Sequence, residues 1–228
     1  MKKARKCNRT LPILMTVLAI ALTSGPLFSA EKGKGEYQAQ AGKPGGSLII
    51  STIAPPKSFN PILAKETSTT AVTGLIFEGL TRTNGVTTEV GSSLAQSWQV
   101  SEDGKTWTLH LRRDVFWNDG RPFTADDVVF TFQKLIYNQN IPSSARDIFT
   151  IEGKQINVSK VDANTVTFTL HVKLAPFLRS LEQEILPKHA LEKLVDEGKF
   201  NNAWGVNTPP EKIVGTAPFM LQQYVPGQ

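Results

Sequence analysis

The side chains that could do chemistry in this sequence are few and poorly assembled. Asp126 and Asp127 are adjacent carboxylates, a pairing that could in principle share a proton or a metal. On a helix, however, neighbouring side chains point about 100° apart, so the two diverge. Thr124 followed three residues later by Asp127 reads instead as a capping box, with both charges at the positive end of a helix. His110, His171 and His189 are scattered, the first two in predicted strands and the third in a predicted helix. None stands at a metal-ligand spacing from a Cys, Asp or Glu, and there is no H-E-x-x-H. The sequence also lacks G-x-S-x-G, S-x-x-K, a Walker loop and G-x-G-x-x-G. An exported hydrolase would need a nucleophile–base or metal constellation, which these residues do not supply. No catalytic residue, metal site or cofactor is expected.

Composition narrows the partners. The 228-residue chain has a formal net charge of +5, which invites a nucleic-acid or membrane partner. Locating the charges removes that invitation. Lys2, Lys3, Arg5, Lys6 and Arg9 lie in the first 30 residues, which carry no acid, and the other 20 basic residues balance 20 acidic ones. No basic run interleaved with aromatics remains for a nucleic acid. The cationic start, the apolar run 11–22 and the Gly25-Pro26 break resemble a signal peptide, because the run falls short of the roughly 20 residues of a membrane span. Cleavage is expected after Ala30. Phe28 departs from the small residue usual before such a site, so an uncleaved anchor is the alternative. Cys7, the single cysteine, precedes the apolar run, which leaves the exported part without disulfide or thiol chemistry.

The elements follow from pattern. Residues 31–46 form a Gly- and Lys-rich spacer. The run 47–53 is expected as a buried strand ended by Pro55-Pro56, and Val72, Leu75, Ile76 and Leu80 predict a helix over 67–80. Asn84-Gly85, Asp103-Gly104 and Asn118-Asp119-Gly120 mark turns. Trp107, Leu109 and Leu111 alternate along one strand face, and Val166, Phe168 and Leu170 do so in a hairpin turning at Asp162-Ala163-Asn164. After Thr124 a helix buries Val128, Val129, Phe132, Leu135 and Ile136. Two further helical segments are expected near 176–181 and over 188–197, the second stopped by Gly198. Trp98, Trp107, Phe116, Trp117 and Phe123 fit strand faces and read as core rather than as a stacking platform, with Phe116 and Trp117 on opposite faces.

Several blocks, in order, resemble the bacterial extracellular solute-binding proteins of family 5. They are Gly45-Gly46-Ser47-Leu48, Phe59-Asn60-Pro61, Phe77-Glu78-Gly79-Leu80, Leu94-Ala95-Gln96-Ser97-Trp98, Asp103-Gly104-Lys105 and Asn118-Asp119-Gly120-Arg121-Pro122-Phe123-Thr124-Ala125-Asp126-Asp127-Val128. Ile185-Leu186-Pro187-Lys188-His189 and Gly215-Thr216-Ala217-Pro218-Phe219 complete the series. Gln96 stands where the family usually has Glu, and Ala217 where Gly is common. The resemblance implies a mixed α/β (α+β) fold of the periplasmic-binding-protein class II type. It implies the first lobe only, at 47–228, with a β-rich subdomain Ib over 83–178 inserted in Ia and the second lobe absent. It further implies capture of an oligopeptide, dipeptide or similar solute by lobe closure and delivery to an ABC transporter permease, with no covalent step. An exported sensor reusing the fold is the alternative, and the ligand stays open among peptide, nickel complex, sugar and opine. By the same resemblance the ligand-binding residues are Lys65, Glu66, Thr67, Ser68 and Thr69, with Thr216, Ala217 and Phe219. Mass spectrometry of the exported chain is expected to find Glu31 at the amino terminus; retention of residues 1–30 would contradict the leader reading.

Overall fold

The structure, a computed structural model, describes residues 45–226. The expected leader, its Cys7 and all but the last two residues of the expected spacer lie outside the described residues.

In chain order the elements are α1 (Thr67–Thr73), β1 (Thr81–Thr83), β2 (Val90–Ser92), β3 (Ala95–Val100), β4 (Thr106–Leu111) and α2 (Ala125–Phe130). A π-helical turn (Thr131–Ile136) continues α2. Then come α3 (Ala145–Ile148), β5 (Thr150–Ile151), β6 (Lys154–Gln155), β7 (Asn157–Asp162), β8 (Thr165–Thr169), α4 (Phe177–Ser180) and α5 (Lys188–Asp196). The four longest strands form one antiparallel sheet in the order β3-β4-β8-β7. The register pairs Leu109 with Val166 and Trp107 with Phe168, so the alternation read in the sequence puts Leu109, Leu111, Val158, Val166 and Phe168 on a buried face. Val128, Phe132 and Leu135 cover that face, and Phe132 meets Phe149 and Phe168 edge-on at 4.8 and 5.1 Å. Trp117 and Phe123 are buried while Phe116 is exposed, as expected of an extended segment.

The paired aspartates part as helix geometry requires. Asp126 turns outward to Lys160 at 2.7 Å, whereas Asp127 is buried and closes the capping box with Thr124. Its second oxygen does further work. Oδ2 accepts the Thr124 N–H at 2.9 Å, and Oδ1 accepts the Lys188 N–H at 2.9 Å, so one carboxylate serves the first turns of both α2 and α5. Next to it, Thr131 Oγ1 donates to Asp127 O at 2.8 Å and accepts the Leu186 N–H at 2.9 Å.

Two expectations need correction. The helix predicted over 67–80 stops at Thr73, where Gly74 caps it. Four of its seven residues are threonine, whose branched side chains favour helix weakly, and Ile76 and Leu80 are instead buried outside it. The run 47–53 is not a buried strand: Leu48, Ile49, Ile50 and Ile53 are largely exposed, and no described strand runs beside them. A strand needs a neighbour's N–H and C=O groups, which a hydrophobic run cannot announce. A smaller difference concerns His171, which lies just past the end of β8.

Burial is the largest influence on Asp127 and pushes its pKa above the usual aspartate range, although the two backbone N–H groups act against it. Because the folded-state pKa is raised, folding disfavours the ionised form; that cost is complete above the folded value and vanishes below the unfolded one. Asp127→Asn leaves one acceptor for two donors and is expected to cost about 1–3 kcal/mol at neutral pH by urea unfolding. The gap between parent and variant should widen as the pH falls through that window; a gap that closes would contradict the assignment.

Candidate functional site

Each of the two segments expected to bind a solute meets the rest of the chain in a different way. Lys65, exposed just before α1, reaches Glu184 with Nζ–Oε2 at 2.7 Å. Glu66 is the N-cap residue of α1, and its carboxylate accepts from the Thr69 hydroxyl and, at 3.4 Å, from the Lys57 N–H. The Thr69 hydroxyl, first, and the backbone N–H groups of Glu66 and Lys57 hold the Glu66 carboxyl below the usual glutamate range. Thr69 is fully buried and also accepts the Lys57 N–H at 3.1 Å, and Ser68 is buried beside it; Thr67 is exposed. Thus Lys65 and Thr67 are presented to solvent, while Glu66 and Thr69 fasten the start of α1 to Lys57.

The second segment is shaped by backbone contact. Gly215 lies so close to the end of the α1 region that a Cβ there would sit 2.1 Å from Ile76 O, and Ala217 N–H donates to the same carbonyl at 3.1 Å. Gly79 is under the same constraint, since its Cβ would lie 2.5 Å from the Glu182 carbonyl. Ile185 N–H donates to Glu78 O and Leu80 N–H to Leu181 O, each at 2.9 Å. Residues 76–81 are therefore a seam along which 181–185 and 213–217 come together. Thr216 is half-buried, its Oγ1 without a hydrogen-bond partner among the described residues, and Phe219 is exposed.

Two cavities flank this seam. One, of about 380 Å³, is lined by Ala217, Pro218 and Phe219 together with Glu78, Arg82 and Glu184. The larger, of about 820 Å³, is lined by Lys57, Leu194, Trp204, Val206, Lys212 and Val214. Of the expected residues, only Ala217 and Phe219 line either cavity, both at the smaller; Lys65 lines a third cavity, of about 410 Å³, with Arg179 and Glu184, and the larger is bordered by Lys57 and Val214, which were not among them. Glu66, Thr67, Ser68, Thr69 and Thr216 line none of the three. Glu184, Glu182, Arg82 and Lys57 went unremarked in the sequence. Glu184 stands one residue before the Ile185-Leu186-Pro187-Lys188-His189 block, but nothing local says that its partner lies 119 residues earlier. Behind the larger cavity, Trp204 takes a left-handed backbone conformation (φ 57°) and is held there by Phe59 N–H donating to its carbonyl at 2.7 Å and its own indole donating to Lys212 O at 2.8 Å.

Over 78% of this chain and 34% of the other, the fold matches the oligopeptide-binding protein AppA of Bacillus subtilis in complex with a nonapeptide, at a TM-score of 0.64 and 26% identity. It also matches NikZ of Campylobacter jejuni in complex with Ni(L-His), with a TM-score of 0.60 and 30% identity over 78% of this chain and 33% of that one. Residues 89–228 match the bacterial extracellular solute-binding proteins, family 5 (middle), and the chain belongs to that family. The dipeptide-binding protein of Escherichia coli K12 is 36% identical over 199 residues, covering 78% of this chain and 35% of the relative. The chain spans about a third of the length of such relatives.

Gly215→Ala must drive a methyl group into backbone, and it is expected to destabilise the chain by about 2 kcal/mol or more. Urea unfolding checks this; a variant as stable as the parent would show that the seam is looser than described.

Proposed function

We propose that this chain acts as the first lobe of the substrate-binding component of an ABC importer. It captures a peptide outside the cytoplasmic membrane and passes it to the permease. The observation that carries the proposal is the family match over residues 89–228, joined to relatives whose names specify dipeptide or oligopeptide binding. Export by the leader at 1–30 agrees with the family's extracellular description. In this reading the seam and its two cavities form one wall of a cleft, and the opposing wall belongs to a second lobe.

The chemistry of the wall suits a peptide. An extended peptide is held chiefly through its backbone and its charged ends, with room left for side chains. Lys65, Glu184 and Arg82 offer charges of both signs near the smaller cavity, and Phe219 and Met220 stand exposed beside it as apolar surface for a closing wall to cover. Binding then proceeds as a hinge motion in which the ligand favours the closed state, and no bond is made or broken. The expected ligand contacts remain Lys65, Glu66, Thr67, Ser68 and Thr69 with Thr216, Ala217 and Phe219. Within this set, Ala217 and Phe219 line the smaller cavity and Lys65 and Thr67 are exposed, which supports direct contact by these four more than by the buried Ser68 and Thr69.

Calorimetric titration of residues 31–228 with the dipeptide Gly-Leu is expected to give no saturable heat below millimolar peptide, because one wall alone buries too little of the ligand. The same segment carried in a chain of the relatives' full length should bind peptides and be thermally stabilised by them, with sugars and nickel–histidine inert. Tight stoichiometric binding by the isolated segment, or stabilisation of the longer chain by nickel–histidine alone, would overturn the proposal.

A further inference from the structure

Asn118 begins a turn that local pairing alone would explain, yet its hydrogen bonds reach across the fold. The Asn118 N–H donates to Gly215 O at 3.0 Å, and its side-chain Nδ2 donates to Ile213 O at 3.1 Å. These two carbonyls bracket Val214, which lines the larger cavity, and they precede Ala217, Pro218 and Phe219, which line the smaller. On the other side the segment is held by Ile76, through the Ala217 N–H and the close approach of Gly215. The segment is therefore gripped between the Asn118 turn and the seam.

The turn itself is anchored. His189 Nε2 lies 2.7 Å from Asp119 Oδ2, tying the turn to α5, and the buried Trp117 ring meets the His189 ring edge-on at 6.2 Å. Asp119 also accepts the Arg121 N–H at 3.1 Å, and Gly120 N–H donates to Trp117 O at 2.8 Å. A turn held to a helix by a side-chain pair and to the core by an indole is a rigid support, unlike an ordinary exposed hairpin tip.

We propose that Asn118 is a positioning residue for solute binding: its paired hydrogen bonds to the Ile213 and Gly215 carbonyls set the path of the segment that walls both cavities. It rests on the reading of the preceding subsection for what the cavities hold. The clamp itself rests on the hydrogen bonds alone. Such bidentate contact fixes both position and orientation of a backbone strip, which a single bond would leave free to swing.

Amide hydrogen exchange in the 228-residue chain tests the clamp. Asn118→Ala removes the Nδ2 donor and is expected to speed exchange of the Ala217 amide about five- to tenfold, with the Leu109 amide of β4 unchanged. Asn118→Asp, which keeps the side chain's shape and turn preference but sets a carboxylate oxygen against the Ile213 carbonyl, should give at least the same local rise; a turn-forming role alone would leave it like the parent. Unchanged Ala217 exchange, or an equal rise at Leu109, overturns the proposal. In a chain of the relatives' full length, Asn118→Asp should weaken Gly-Leu binding several-fold without lowering the melting temperature, and an unaltered affinity also overturns it. Failure of the unsubstituted long chain to bind any peptide removes the peptide reading instead, and the exchange result still decides the clamp.

Discussion

The close backbone approach at residues 76–81 is the constraint on which the rest of the structure turns. Three stretches far apart in sequence meet there, and they meet at distances that leave no room for side chains at Gly79 and Gly215. Hydrogen bonds from Leu80 to Leu181, from Ile185 to Glu78 and from Ala217 to Ile76 hold the arrangement. The candidate site follows from it, because the two cavities are the spaces left on either side, with Lys57 at the larger and Glu184 and Phe219 at the smaller. Gly79 lines the smaller cavity, and Gly215 lies between Val214 of the larger and Ala217 of the smaller, so the two close approaches shape both.

A second device keeps the surrounding helices in register with that seam. Asp127 gives one oxygen to α2 and the other to α5, so a single buried carboxylate fixes the relative position of two helix starts. Thr131 repeats the theme one turn on, linking α2 to Leu186 just before α5. Buried polar groups of this kind are satisfied at both ends, which makes them specific joints and not merely tolerated charges. On the far side of α2 the sheet face of Leu109, Val158, Val166 and Phe168 completes the core.

Local signals in the sequence were legible because local physics makes them. The Asp103-Gly104 and Asn118-Asp119-Gly120 turns, the Thr124–Asp127 capping box, the alternation of β4 and β8 and the stop of α5 before Gly198 all appear as read. What depended on distant partners was not. The hydrophobic run 47–53 promised a buried strand but has no strand beside it among the described residues, and the periodicity of 67–80 concealed a threonine-rich helix of seven residues. Likewise the Lys65–Glu184 and Asp119–His189 pairs join residues 119 and 70 positions apart, which no spacing rule reaches. The resemblance marked Gly79 and Gly215 as motif positions; only the geometry supplies the reason that they must be glycine.

On the proposed function this surface grips a peptide without reacting with it, and weak binding is best followed residue by residue. A nuclear magnetic resonance titration of the labelled chain with millimolar tetrapeptide should shift the amides of Lys65, Glu184, Val214, Ala217 and Phe219 together, with the peptide recovered intact. Shifts confined to other surfaces, or cleavage of the peptide, would contradict it.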